Sequence, residues 1–206
     1  MSENDFQITA ANLKYAVEFY DKKEYSTLNS AMSHILKEAS RESLRLISNK
    51  DNLTLFSLSV RNLFELFLIC RQIYSNEESL HNWYGQSHKD SKDVKNAFIK
   101  LAEKKGLDTS GLKEIQEFED SSLENTPFQS KGGFQIRDLA EKHGYLDDYQ
   151  FVYKLSSKLV HPSSMKVMAY SAIAENTNYL LVLHHIAVYF GQEFSMFLKG
   201  VIEQNA

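Results

Sequence analysis

Residues 52–74 read Asn52-Leu53-Thr54-Leu55-Phe56-Ser57-Leu58-Ser59-Val60-Arg61-Asn62-Leu63-Phe64-Glu65-Leu66-Phe67-Leu68-Ile69-Cys70-Arg71-Gln72-Ile73-Tyr74. Its apolar residues fall on nearly every side of a helix, the pattern of a segment surrounded by other helices. Arg61, Asn62, Glu65 and Arg71 interrupt it too often for a membrane span. A central helix of this kind needs amphipathic neighbours, and they stand on either side. Phe6, Leu13, Val17 and Tyr20 mark a first helix, while Leu28, Met32, Ile35, Ala39 and Leu46 mark a second. Two prolines and eight glycines in 206 residues leave few interruptions, and no stretch alternates as a strand would. The fold class expected is all-α, a helical bundle.

Beyond Tyr74 the composition turns polar. Residues 76–120 predict a peripheral helical insertion, with helix starts at Asn76-Glu77-Glu78, over Ser91 to Lys105, and after Thr109-Ser110. From Ser121 to Gly133 the chemistry is that of a loop, long enough to act as a mobile flap. A short helix over Phe134 to His143 should stop at Gly144, a left-handed cap. The helix bearing Tyr153 follows, and a long closing helix runs from about Asn176 to Glu203. The organisation expected is one helical domain over 1–206, with its core in about 1–75 and 134–206 and the insertion in about 76–133.

With 43% hydrophobic residues the chain can bury a full core without staples. Its single cysteine, Cys70, lies in an apolar run and provides no disulfide framework. The amino terminus is acidic and polar where an export signal would be basic and then apolar, so a cytoplasmic protein with no membrane partner is expected. The net charge of −4 gives no global attraction to nucleic acid but leaves room for a local basic groove. No metal and no cofactor are expected. His184 and His185 are adjacent and point apart on a helix, Asp147 and Asp148 read as first-turn residues, and Gly132-Gly133 follows no strand.

Two constellations stand out. Tyr153, Ser157 and His161 recur at intervals of four, so they share a helix face, and Pro162 places His161 at the helix end. Arg61 and Glu65, also four apart, put two charges in the most apolar segment, where each must find a partner. Either the pair fixes the register of the core, or Glu65 holds a guanidinium that receives a phosphate or carboxylate. His161 likewise reads either as a helix cap or as a proton carrier.

Three blocks carry a resemblance. Arg-Asn-Leu-Phe-Glu-Leu at 61–66, Arg-Asp-Leu-Ala-Glu-Lys-His-Gly-Tyr at 137–145 and Tyr-Lys-Leu-Ser-Ser-Lys-Leu-Val-His-Pro-Ser at 153–163 resemble an uncharacterised bacterial helical family that is distantly similar to HEPN domains. Many HEPN domains are metal-independent ribonucleases of toxin–antitoxin and phage-defence systems, and they commonly dimerise. Their motif pairs an arginine with a histidine four to six positions on. Arg61-Asn62 begins it without the histidine, and Arg137 with His143 has the spacing at a helix end.

The resemblance implies a cytoplasmic protein that binds or cleaves RNA, a homodimer with a protein partner encoded nearby. In a cleavage site His161 would serve as general acid or base, Arg61 would stabilise the charged phosphate and Glu65 would orient Arg61, with Tyr153, Ser157 and Ser163 contacting substrate. The alternatives are a non-catalytic helical interaction module and a sensor of a small anionic ligand that moves the 121–133 flap.

Overall fold

The computed structural model describes residues 3–128 and 132–205, and every regular element among them is a helix. In chain order these are α1 (Glu3–Asp21), α2 (Thr27–Ser48), α3 (Leu53–Ser75), α4 (Glu77–Lys104), α5 (Ser110–Leu123), α6 (Ile136–Lys142), α7 (Leu146–Val160), α8 (Ser164–Glu175) and α9 (Thr177–Asn205). They form two compact units. One holds the chain up to Tyr74 together with that from Gln135 onward; the other is Ser75–Phe134.

In the first unit α3 is the centre, as its all-round apolarity requires. Phe56, Phe64, Phe67, Leu68 and Cys70 are sealed from solvent. Phe64 packs 4.3 Å from the ring of Phe190, and Phe67 lies 5.4 Å from Phe194, so α9 supplies the aromatic half of this core. Each such buried ring contributes about 1.5–3 kcal/mol relative to exposure. His184 belongs to the same layer, stacked 4.3 Å from Phe56 and 5.6 Å from Phe6. Burial lowers its pKa, so the ring packs as a neutral aromatic.

Two polar devices fix how the helices meet. Gly191 on α9 faces Thr9 on α1 so closely that a methyl there would stand 2.5 Å from the threonine Oγ1. On α2 the Glu42 carboxylate is only 2% exposed. Its Oε1 accepts from Asn62 Nδ2 of α3 at 2.9 Å and from Arg45 Nη1 of its own helix at 2.5 Å. Its Oε2 is buried without a partner.

The second unit contains α4 and α5. His88 Nε2 lies 3.0 Å from Asp120 Oδ1, Lys92 pairs with Asp120 at 2.7 Å, Lys95 pairs with Glu119, and Gln116 donates to Asn96 at 3.2 Å. These pairs run up α4 as they run down α5, so the helices are antiparallel. Asn76 caps α4 as expected, its side chain accepting from the Ser79 N–H. The two helices predicted between Glu77 and Lys105 are one, because nothing from Leu80 to Ser91 stops helical propagation; Gly85 is buried and carried within it. Trp83 stacks on Phe134 and Tyr84 packs against Phe128. The segment read as a flap from Ser121 is helical to Leu123, and Gln129, Ser130 and Lys131 lie outside the described residues.

Two more boundaries differ from expectation. Helix α6 starts at Ile136 and stops where foreseen, with Gly144 at a φ of +83°. Helix α8 lies where no helix was expected. Its apolar residues follow no face, with Val167 and Met168 exposed and Ile173 buried, so periodicity does not announce it. The signal was Ser163 after Pro162: the Ser163 hydroxyl accepts from the Lys166 N–H and caps the helix.

Candidate functional site

Arg61 and Tyr153 meet between α3 and α7. The guanidinium carbon lies 4.4 Å from the centre of the tyrosine ring, within the range of a cation–π contact. Arg61 Nε donates to Glu65 Oε1 at 2.7 Å, one helical turn on, and both side chains are about a quarter exposed, at 25% and 23%. No protein acceptor is assigned to the remaining guanidinium N–H groups of Arg61 among the described residues. Tyr153 is 38% exposed, and Tyr149 stacks on it at 5.2 Å with an interplanar angle of 26°. Burial raises the Tyr149 pKa, helped by Tyr153 and Glu65; Arg61 and Arg137 oppose the shift. The Arg61 guanidinium therefore lies against the tyrosine pair, and the charge of Arg137 is felt at Tyr149.

The four-residue interval that begins at Tyr153 extends backward. Tyr149 and Tyr145 occupy the two preceding steps. At Tyr145 a second arginine arrives from α3: Arg71 Nη1 donates to the Tyr145 hydroxyl at 3.3 Å, and that hydroxyl donates to Glu193 Oε2 of α9 at 2.8 Å. Burial and the Glu193 carboxylate push the Tyr145 pKa up to about 12. Numbers rise along α3 from Arg61 to Arg71 while they fall along α7 from Tyr153 to Tyr145, so the two helices run antiparallel. Ten residues of helix set the arginines about 15 Å apart along the axis.

The other residues singled out from sequence stand further along. Ser157 is half-buried one turn beyond Tyr153. His161 caps α7 with extended backbone, φ −84° and ψ 155°, as the following proline favours. Its N–H donates to the Ser157 carbonyl at 3.3 Å and its side chain is exposed. Eight residues separate it from Tyr153, about 12 Å along the helix. Ser163 holds the α7–α8 corner, donating its hydroxyl to the Lys158 carbonyl at 2.6 Å while it caps α8. The geometry thus joins Arg61, Glu65 and Tyr153, adds Tyr149, and places Ser157, His161 and Ser163 toward the far end of α7.

No curated protein and no solved structure matches the chain. Residues 36–178 match the profile of DUF5677, a family of unknown function. That span includes Glu42, all of α3 and the whole Tyr145–His161 ladder. The match covers well over half of the 206 residues, and the chain belongs to DUF5677.

Proposed function

We propose that the protein binds single-stranded RNA along the line where α3 meets α7, with Arg61 on a backbone phosphate and the Arg61–Tyr153–Tyr149 stack against a base. The observation that carries this reading is the Arg61–Tyr153 pair. A guanidinium clamped through Nε by a carboxylate, with its other donors uncommitted, suits bidentate contact to phosphate. Tyr153 carries Arg61 and Tyr149 on its ring, so a base would stack on the outside of this assembly, on the guanidinium plane or on Tyr149, a contact worth about 1–3 kcal/mol per base. Arg137 and Arg71 add positive charge along the same line. The overall charge of −4 gives no long-range steering, so affinity rests on local contacts and falls with salt.

Metal-independent cleavage is the stronger form of the proposal, and His161 is its general acid or base. A strand that rests on the Arg61–Tyr153–Tyr149 stack and follows α7 toward its carboxy-terminal end would reach that imidazole. The test takes a mixed RNA pool in EDTA, with wild type, Arg61→Ala, Tyr153→Ala and His161→Ala, each checked for folding by circular dichroism. Binding lost in the first two variants supports the RNA reading, and cleavage lost also in His161→Ala supports the nuclease form. Absence of RNA binding by the wild type overturns both.

A further inference from the structure

At the other end of the α3–α7 line, Arg71, Lys142 and His143 gather at one turn, and the Glu193 carboxylate reaches it only through the Tyr145 hydroxyl. Gly144 bends the chain sharply, so Lys142, His143 and Tyr145 approach the end of α3 from successive positions. Lys142 Nζ donates to Gln72 Oε1 at 2.8 Å, and Arg71 donates to the Tyr145 hydroxyl. Glu193 on α9 spends an oxygen on that same hydroxyl, and neither cation forms an ion pair with a carboxylate among the described residues. His143 Nε2 is shielded from solvent and has no hydrogen-bond partner. A buried polar atom in that condition is uncommon and calls for an explanation.

We propose that Arg71, Lys142 and His143 form a binding site for a phosphate group. Neither Arg71 nor Lys142 is ion-paired among the described residues, the Glu193 carboxylate at this turn is engaged by the Tyr145 hydroxyl, and all three side chains can donate, His143 through Nε2–H. A tetrahedral oxyanion has enough oxygens to meet three donors at once, and charge-assisted bonds of this type are the strong ones. The histidine supports the assignment. Burial, then Arg71 and Lys142, hold its pKa below the ordinary value, so an arriving dianion would oppose the two cationic influences and favour the protonated, donating ring. The charged groups facing it are Arg71 from α3, Lys142 from α6 and, through Tyr145, Glu193 from α9. The site does not depend on RNA binding at Arg61, since inorganic phosphate alone should fill it.

The experiment follows the His143 imidazole by NMR during titration with inorganic phosphate at constant ionic strength, its signal assigned with His143→Gln. Saturable binding in the millimolar range with a rise in the His143 pKa is expected. Lys142→Met, an exposed change that keeps the aliphatic stem, should weaken binding about tenfold. No shift of His143 at saturating phosphate, or the same shift in Lys142→Met, overturns the site. A second arm compares short oligouridylates with phosphorylated and unphosphorylated ends. A shift with inorganic phosphate that only the phosphorylated end reproduces supports the site with a strand terminus as its source; a shift with inorganic phosphate alone supports it with a free oxyanion.

Discussion

Arg61 lies over the face of Tyr153, 4.4 Å from the ring centre, while Glu65 accepts a hydrogen bond from its Nε–H. The arginine is thus fixed on two sides. Arg61→Lys keeps the charge and loses both the fork and the stacking plane, so RNA affinity should drop roughly tenfold while the slope of affinity against salt stays nearly constant. Tyr153→Phe should bind nearly as wild type, whereas Tyr153→Ala should lose a stacking contribution of about 1–3 kcal/mol. Fluorescence anisotropy over a salt series separates these cases.

Glu65→Gln should leave stability within about 1 kcal/mol of wild type, because an ion pair with partly exposed partners contributes little net energy. Affinity for RNA should fall several-fold, since the guanidinium loses its anchor. Urea unfolding beside the anisotropy assay gives both numbers, and a large stability loss with unchanged affinity would make the pair a core device only.

Asn62 is the neutral partner of a carboxylate that is 2% exposed. Asn62→Leu should destabilise by about 1–3 kcal/mol, because Glu42 remains buried with one fewer donor. Pairing it with Glu42→Met removes the charge as well and should recover most of that loss, as replacing both members of a buried polar pair often does. Urea midpoints of the two single variants and the double variant decide it.

Gly191→Ala drives a methyl toward Thr9, whose Oγ1 would be 2.5 Å away and Cγ2 3.1 Å away. The expected cost is about 1–3 kcal/mol, since overpacking forces a shift of the backbone or rotamer. Thr9→Ala in the same chain should relieve part of it. A coupling of the two changes below the error of the unfolding measurement would mean that α1 and α9 adjust freely.

Acid should weaken the fold through His184 and His143, whose native pKa values both lie below the ordinary one. The unfolded chain binds those protons first, so the native state loses stability as pH falls from about 6.5. His184→Phe should flatten that decline. Asp148 acts oppositely in the carboxylate range: burial and Asp147 raise its pKa, and its contribution is lost as pH rises past the native value. Thermal or urea unfolding across pH separates the two windows.

The all-α architecture could be read from α3 alone, because a segment apolar on every side has to be enclosed. Arg61 and Glu65 could be read with it, since charges in such a segment have to be paired and their spacing names the partner. Other features depend on contacts that spacing does not encode. Helix α8 lacks an apolar face to mark it, and α4 runs through polar residues that look like a boundary and are simply a solvated side. The Arg71–Tyr145–Glu193 chain joins residues 74 and 48 positions apart, and only packing brings them together. Tyr149 was within reach, one step back along a spacing already in hand.

Cys70, sealed on α3 and 3.6 Å from the Met32 sulfur, is the sole thiol in the sequence. Burial pushes its pKa up and keeps it from acting as a nucleophile. Alkylating reagents in solution can therefore reach it only when the packing around α3 opens. The rate of iodoacetamide labelling becomes a clock for that opening, read by mass alone, with no dye or engineered probe.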